Sequence, residues 1–72
     1  MKFKTNDIVK LSFRNESFAI IKIFLVDDIS KGYFVNYLYS HNLEDYPFVY
    51  LSEEIEYRMS KLPDDEALKW KV

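Results

Sequence analysis

Polar residues interrupt the stretch from Phe18 to Val26, FAIIKIFLV, only at Lys22, and after a short polar break GYFVNYLYS repeats the same character. Runs rich in Ile, Val, Phe and Tyr suit a pleated surface better than a helix, so the pattern predicts two long strands. Between them stand Asp27, Asp28, Ser30, Lys31 and Gly32, and the only glycine of the chain is expected to supply a positive φ in the turn. Strict alternation places Ala19, Ile21, Ile23 and Leu25 on one face of the first strand and Phe18, Ile20, Lys22, Phe24 and Val26 on the other. In the second strand Tyr33, Val35, Tyr37 and Tyr39 oppose Phe34, Asn36, Leu38 and Ser40. Neither face has the polar content of a solvated one. Such a hairpin must be covered on both sides, by its own chain or by another.

Upstream, residues 3–13 read as a strand entered through a turn at Thr5-Asn6-Asp7, with Val9, Leu11 and Phe13 on one face and Ile8, Lys10 and Ser12 on the other. A polar turn, Arg14 to Ser17, leads into the hairpin and sets the first two strands antiparallel. Downstream, residues 40–45 form a polar loop and YPFVYL, residues 46–51, a fourth strand. Its proline, having no N–H to donate, belongs at the start, an edge or a bulge. Two readings are open for the next segment. Ser52 can cap a helix running to Leu62, with Leu51, Ile55, Met59 and Leu62 on one side. Alternatively a single 3₁₀ turn at residues 52–54 precedes a fifth strand in which Ile55, Tyr57 and Met59 alternate with Glu56, Arg58 and Ser60. Pro63 followed by Asp64, Asp65 and Glu66 reads as a helix start, and Leu62, Leu68 and Trp70 are placed to pin that tail to the domain.

Phe3, the Asn6-Asp7 turn, Val9 and Leu11 together resemble the opening of SH3-like small β-barrels, such as KOW-type and Tudor-like modules. There an aromatic residue leads into a Gly-Asp turn and a Val-x-Leu strand; here Asn6 stands in place of the glycine. The resemblance implies a barrel over residues 3 to about 60 and favours the 3₁₀ turn and fifth strand for the ambiguous segment. The expected fold is all-β and mainly antiparallel: a five-stranded SH3-like small barrel or strongly bent sheet. One domain covers residues 1–72, with a short C-terminal helical tail over 61–72.

Size sharpens this picture, because a chain of 72 residues buries only about 60% of its unfolded surface. With no cysteine to cross-link it, the 49% hydrophobic and 18% aromatic content must supply the stability. The longest apolar run is broken by Lys22 and is far short of the ~20 residues of a membrane-spanning helix. The opening MKFKTNDIVK lacks the apolar core of a signal peptide, so a cytoplasmic location and no membrane partner are expected. The net charge of -2 is unevenly divided: residues 1–22 carry Lys2, Lys4, Lys10, Arg14 and Lys22 against Asp7 and Glu16, and the remainder is acidic.

Candidate chemistry is sparse. His41 is the only histidine and stands in the predicted loop, without the held base and adjacent nucleophile that a triad needs. Turn solvation and helix-start electrostatics account for the acidic groups Asp27-Asp28, Glu53-Glu54-Glu56 and Asp64-Asp65-Glu66, and no EF-hand, phosphate-loop or zinc spacing occurs. No enzyme activity, metal or cofactor is expected. The aromatic set is the suggestive feature. Phe18, Lys22, Phe24, Tyr33, Tyr37 and Tyr39 are the candidate partner-binding residues, since Tyr suits interfaces where its ring is buried and its hydroxyl stays wet. The expected function is a non-enzymatic interaction module, binding a protein partner or itself as a homodimer. A phage or mobile-element accessory protein that inhibits or adapts a larger host protein has this size and composition. The alternative is a nucleic-acid-binding barrel using Lys2, Lys4, Lys10 and Arg14.

Overall fold

A computed structural model describes residues 1–40 and 48–70 and has the expected all-β architecture. Five antiparallel strands, β1 (Ile8–Ser12), β2 (Phe18–Asp27), β3 (Gly32–Ser40), β4 (Phe48–Ser52) and β5 (Met59–Lys61), form one sheet in the order β4-β3-β2-β1-β5. The sheet is strongly bent and not closed, so β4 and β5 are its two edges. A short helix, α1 (Asp64–Ala67), continues into a 3₁₀ turn at Leu68–Trp70. Residues 41–47, which include His41, most of the predicted 40–45 loop, and Tyr46 and Pro47 of the predicted fourth strand, lie outside the described residues.

The concave side holds the main core: Phe3, Val9, Leu11, Ala19, Ile21, Ile23, Tyr33, Val35 and Met59, with Val49, Leu51 and Ile55 packed around them. The chain enters through the turn expected at residues 5–7, where Asn6 takes φ 75°, a conformation Asn tolerates better than most residues. The Asn6 N–H donates to the Ile23 carbonyl (2.8 Å) and the Ile23 N–H to the Asp7 carbonyl (2.9 Å), which carries the β1–β2 ladder back into the turn. That fixes Phe3 against Tyr33 in an edge-on ring contact, with centroids 6.0 Å apart. The Tyr33 hydroxyl accepts from the N–H groups of Lys2 (3.1 Å) and Phe3 (3.2 Å) and donates to the Glu56 carboxylate. One buried phenol thus ties the N-terminal segment to the 3₁₀ turn that precedes β5.

Two bulges break the alternation assumed for the hairpin. Ile23 pairs with Val35 but Leu25 with Phe34, which leaves Phe24 as an extra residue; Ile20 pairs with Tyr39 but Ile21 with Tyr37, which leaves Leu38 as another. Each extra residue reverses the faces of the positions beyond it. Leu25 therefore turns outward and Val26 inward, and Tyr39 leaves the side shared by Tyr33, Val35 and Tyr37. Phe13, expected beside Val9 and Leu11, lies past the end of β1 and is exposed.

The hairpin turn also differs from expectation. Asp27 accepts the N–H groups of Ile29 (3.1 Å) and Ser30 (3.2 Å), and Lys31, not Gly32, takes the positive φ of 58°. Gly32 is needed for space, since a Cβ there would overlap the Tyr50 ring and hydroxyl lying on it. The Gly32→Ala variant is expected to lose about 1–2 kcal/mol as Tyr50 swings into solvent. Thermal melts should show most of that loss disappear when Tyr50 is already Ala.

Residues 52–62 combine the two sequence readings. Ser52 does cap, accepting the Glu54 N–H at 3.2 Å, but the helix is 3₁₀, runs over Glu53–Arg58 and leaves only Met59–Lys61 for the strand. The tail then crosses the convex side. Ile8, Ile20 and Ala67 form a second buried cluster there with Phe18, Leu38, Tyr39, Leu62 and Trp70 around it. Trp70 stacks on Tyr39 with centroids 5.7 Å apart, whereas Leu68, expected to help, is exposed.

Candidate functional site

The convex face of the sheet carries two apolar patches, and the tail covers only one of them. Phe18, Ile20 and Tyr39 lie under Ala67 and Trp70. Toward β4 the same face presents Phe24 (57% exposed), Leu25 (50%), Phe34 (37%), Phe48 (58%) and Tyr50 (41%). Lys22 and Asn36, paired across β2 and β3, form a polar divide between the halves. The open half is ordered by ring contacts: Phe24 meets Phe48 at 5.2 Å between centroids and Phe34 meets Tyr50 at 5.1 Å. The Tyr50 hydroxyl donates to the Ser30 carbonyl (3.1 Å), holding its ring flat across β3. No charged side chain stands among these five residues, so the surface favours apolar contact over ionic recognition.

Of the six residues singled out from sequence, Tyr33 and Tyr37 face the main core, and Phe18 and Tyr39 stack on each other beside the tail at 5.7 Å. Burial, reinforced by the Glu56 carboxylate, raises the Tyr33 phenol above its ordinary pKa; burial alone raises Tyr37. Only Lys22 and Phe24 stand on the open convex face. Sequence reasoning missed Leu25, Phe34, Phe48 and Tyr50. The alternation of β4 held a usable clue, because placing Val49 and Leu51 inward turns Phe48 and Tyr50 outward.

The basic residues do not gather on this surface. Lys2 and Lys4 precede β1 and Arg14 follows it, while Lys10 sits over the Phe18 ring (4.8 Å) and the Lys2 ammonium near the Phe3 ring (5.6 Å). An open groove of about 240 Å³ lies between the tail and the sheet, lined by Phe18, Ile20, Leu62 and Trp70 together with Lys10, Glu66 and Lys69. Among the described residues no three His, Cys, Asp or Glu side chains converge as metal ligands, and no helix is long and apolar enough to cross a membrane. Comparison with protein-family models, curated proteins and solved structures finds no match to this chain.

Proposed function

We propose that this protein is a non-enzymatic interaction module that binds a protein partner through Phe24, Leu25, Phe34, Phe48 and Tyr50. The observation that carries this reading is a contiguous set of exposed large apolar side chains on one sheet face, preorganised by two ring contacts. Leaving that much apolar surface in water is unfavourable, and aromatic anchors held rigid before contact lose little side-chain entropy on binding. The strand order and the 3₁₀ turn before β5 support an SH3-like small-barrel fold as the scaffold. A phage or mobile-element accessory protein, working in the cytoplasm to inhibit or adapt a larger host protein, fits this surface and this size.

The test is a capture experiment from host lysate with the wild type and with a Phe24→Ser/Leu25→Ser variant. Both side chains are at least half exposed, so the variant is expected to keep its fold, with a melting temperature within a few degrees of wild type. Its partner should bind at least tenfold more weakly, as for truncation of interface anchors. Equal capture by both proteins would remove the face from consideration. Tyr37, a candidate from the sequence, packs against the main core and is not part of this surface.

A further inference from the structure

We propose that β4 pairs antiparallel with β4 of a second copy of this chain, about a two-fold axis at Tyr50. The phase of the strand is fixed by the hydrogen bond from the Glu53 N–H to the Lys31 carbonyl (2.9 Å), which directs the backbone of residue 53 toward the β3 side. Backbone groups alternate sides along a strand, so Leu51 and Val49, opposite Tyr33 and Val35, also bond to β3. Phe48 and Tyr50 then aim their N–H and C=O groups at the free edge, and Ser52 its N–H, while the Ser52 carbonyl also accepts the first bond of the 3₁₀ helix it caps. Their side chains leave that edge uncovered. Phe48 leans across the sheet to Phe24, Tyr50 lies over Gly32 toward Ser30, and the Ser52 hydroxyl turns to the Glu54 N–H.

The two edges of the sheet are managed differently. β5 is three residues long, carries Lys61 in an ion pair with Asp7 (3.6 Å), and turns at once into the tail, with the Leu62 N–H on the Ile8 carbonyl (3.0 Å). Short length and a lysine are the usual protections of a strand edge. Between Phe48 and Ser52 there is no charge and no proline.

A second copy fits this edge better than a generic strand because the edge is self-complementary. A two-fold axis at Tyr50 sets Tyr50 opposite Tyr50 and Phe48 opposite Ser52, which uses the outward residues of each strand in about four to six hydrogen bonds, the two onto the Ser52 carbonyls being shared with the 3₁₀ helix. The arrangement also separates like charges. The two Glu53 residues fall at opposite ends of the ribbon, roughly 20 Å apart, well beyond a screening length of about 8 Å. Parallel pairing would put them side by side. Two five-residue strands bury less than the ~1,200 Å² of a standard interface, so the dimer is concentration-dependent. The pairing uses the backbone edge of β4 and leaves Phe24, Leu25 and Phe34 open, so it goes beyond the partner-binding reading while sharing Phe48 and Tyr50 with it.

Light scattering and amide hydrogen exchange on the whole chain, from micromolar to millimolar concentration, test the pairing together. The mass is expected to rise from monomer to dimer while the Phe48, Tyr50 and Ser52 amides become protected in step. The Val49 and Leu51 amides should be protected at every concentration. A strict monomer at millimolar concentration, assembly beyond the dimer, or a dimer whose three edge amides still exchange freely would each overturn the proposal. Ser52 has φ −68°, which proline adopts without strain, so Ser52→Pro removes one outward N–H without touching the β3 ladder. It should weaken the dimer about tenfold or more, whereas Ser52→Ala, which loses the same hydroxyl cap, should not; equal effects would count against edge pairing. If the proline variant does not fold, exchange on the wild type still decides. Phe24→Ser/Leu25→Ser should keep the dimer, and its loss there would move self-association to the aromatic face.

Discussion

Tyr33→Ala is expected to abolish stable folding. The side chain is fully buried in the main core, and truncating an aromatic residue at such a site costs roughly 3–5 kcal/mol. A chain of 72 residues has only about 4–11 kcal/mol to lose. Tyr33→Phe separates the two parts of that loss. The ring stays against Phe3, but the Lys2 and Phe3 N–H groups and the Glu56 carboxylate all lose their shared partner, an effect of about 1–3 kcal/mol. Chemical denaturation of the three proteins should rank them wild type, Phe, Ala. A Phe variant as stable as wild type would show that the hydroxyl contributes nothing net.

The same group of atoms gives stability a dependence on pH at both extremes. Burial pushes the Glu56 carboxyl up, but the Tyr33 hydroxyl, the Lys2 N–H and nearby positive charge outweigh it and hold the pKa below the usual carboxylate range. A depressed carboxyl pKa stabilises the fold above the ordinary value and ceases to do so as pH falls through the folded one. Tyr33 runs the other way: its raised pKa contributes below pH about 10 and is lost as pH rises beyond that. Denaturation midpoints of Tyr33→Phe should therefore fall less steeply than those of wild type at both ends.

Ala67→Asp is expected to detach the tail. Ala67 packs against Ile8 and Ile20, and an unpaired carboxylate buried there would cost roughly 3 kcal/mol. The tail is held chiefly by Leu62, Ala67 and Trp70, so release is the less costly response. Trp70 is the only tryptophan and rests on Tyr39, so its emission should shift to the red as it enters water. Binding of a hydrophobic dye should rise as Ile8, Ile20 and Phe18 are uncovered. Leu68→Asp is the control: with Leu68 65% exposed, it should change stability by no more than about 0.5 kcal/mol.

Leu68 also marks a boundary of what the amino-acid pattern alone reveals. The strands from Ile8 to Leu51 are legible because apolar residues recur with the period of a pleated surface, and the need to cover both faces of the hairpin is legible in Ile20 and Ile21 alike. Leu62 and Trp70 can be placed in the tail contact from the pattern, and both are there. Leu68 cannot, because a single turn of α-helix running into a 3₁₀ turn has no settled periodicity to place it. Gly32 suggests the usual reason for a glycine in a turn, whereas its reason here is the ring of a residue 18 positions away. The candidate surface is hidden for a related cause. Phe24 and Phe48 are 24 residues apart and come together only through the β2–β3 and β3–β4 registers.

The bulges at Phe24 and Leu38 act on the hairpin as frameshifts act on a coding sequence. Between them, the inward set is Ile21, Ile23, Val35 and Tyr37; beyond them, the parity of inside and outside is inverted. Deleting Phe24 would remove the bulge and leave Leu25 outward and Val26 inward, so the reading frame of the strand survives. Deleting Lys22 would not be absorbed in this way: Ile23 would turn to water, and every residue up to the next irregularity would change sides with it. Substitutions in this hairpin alter one face at a time, whereas a gain or loss of one residue trades the two. The bulges are therefore the two places where the hairpin can change length and keep its inside in.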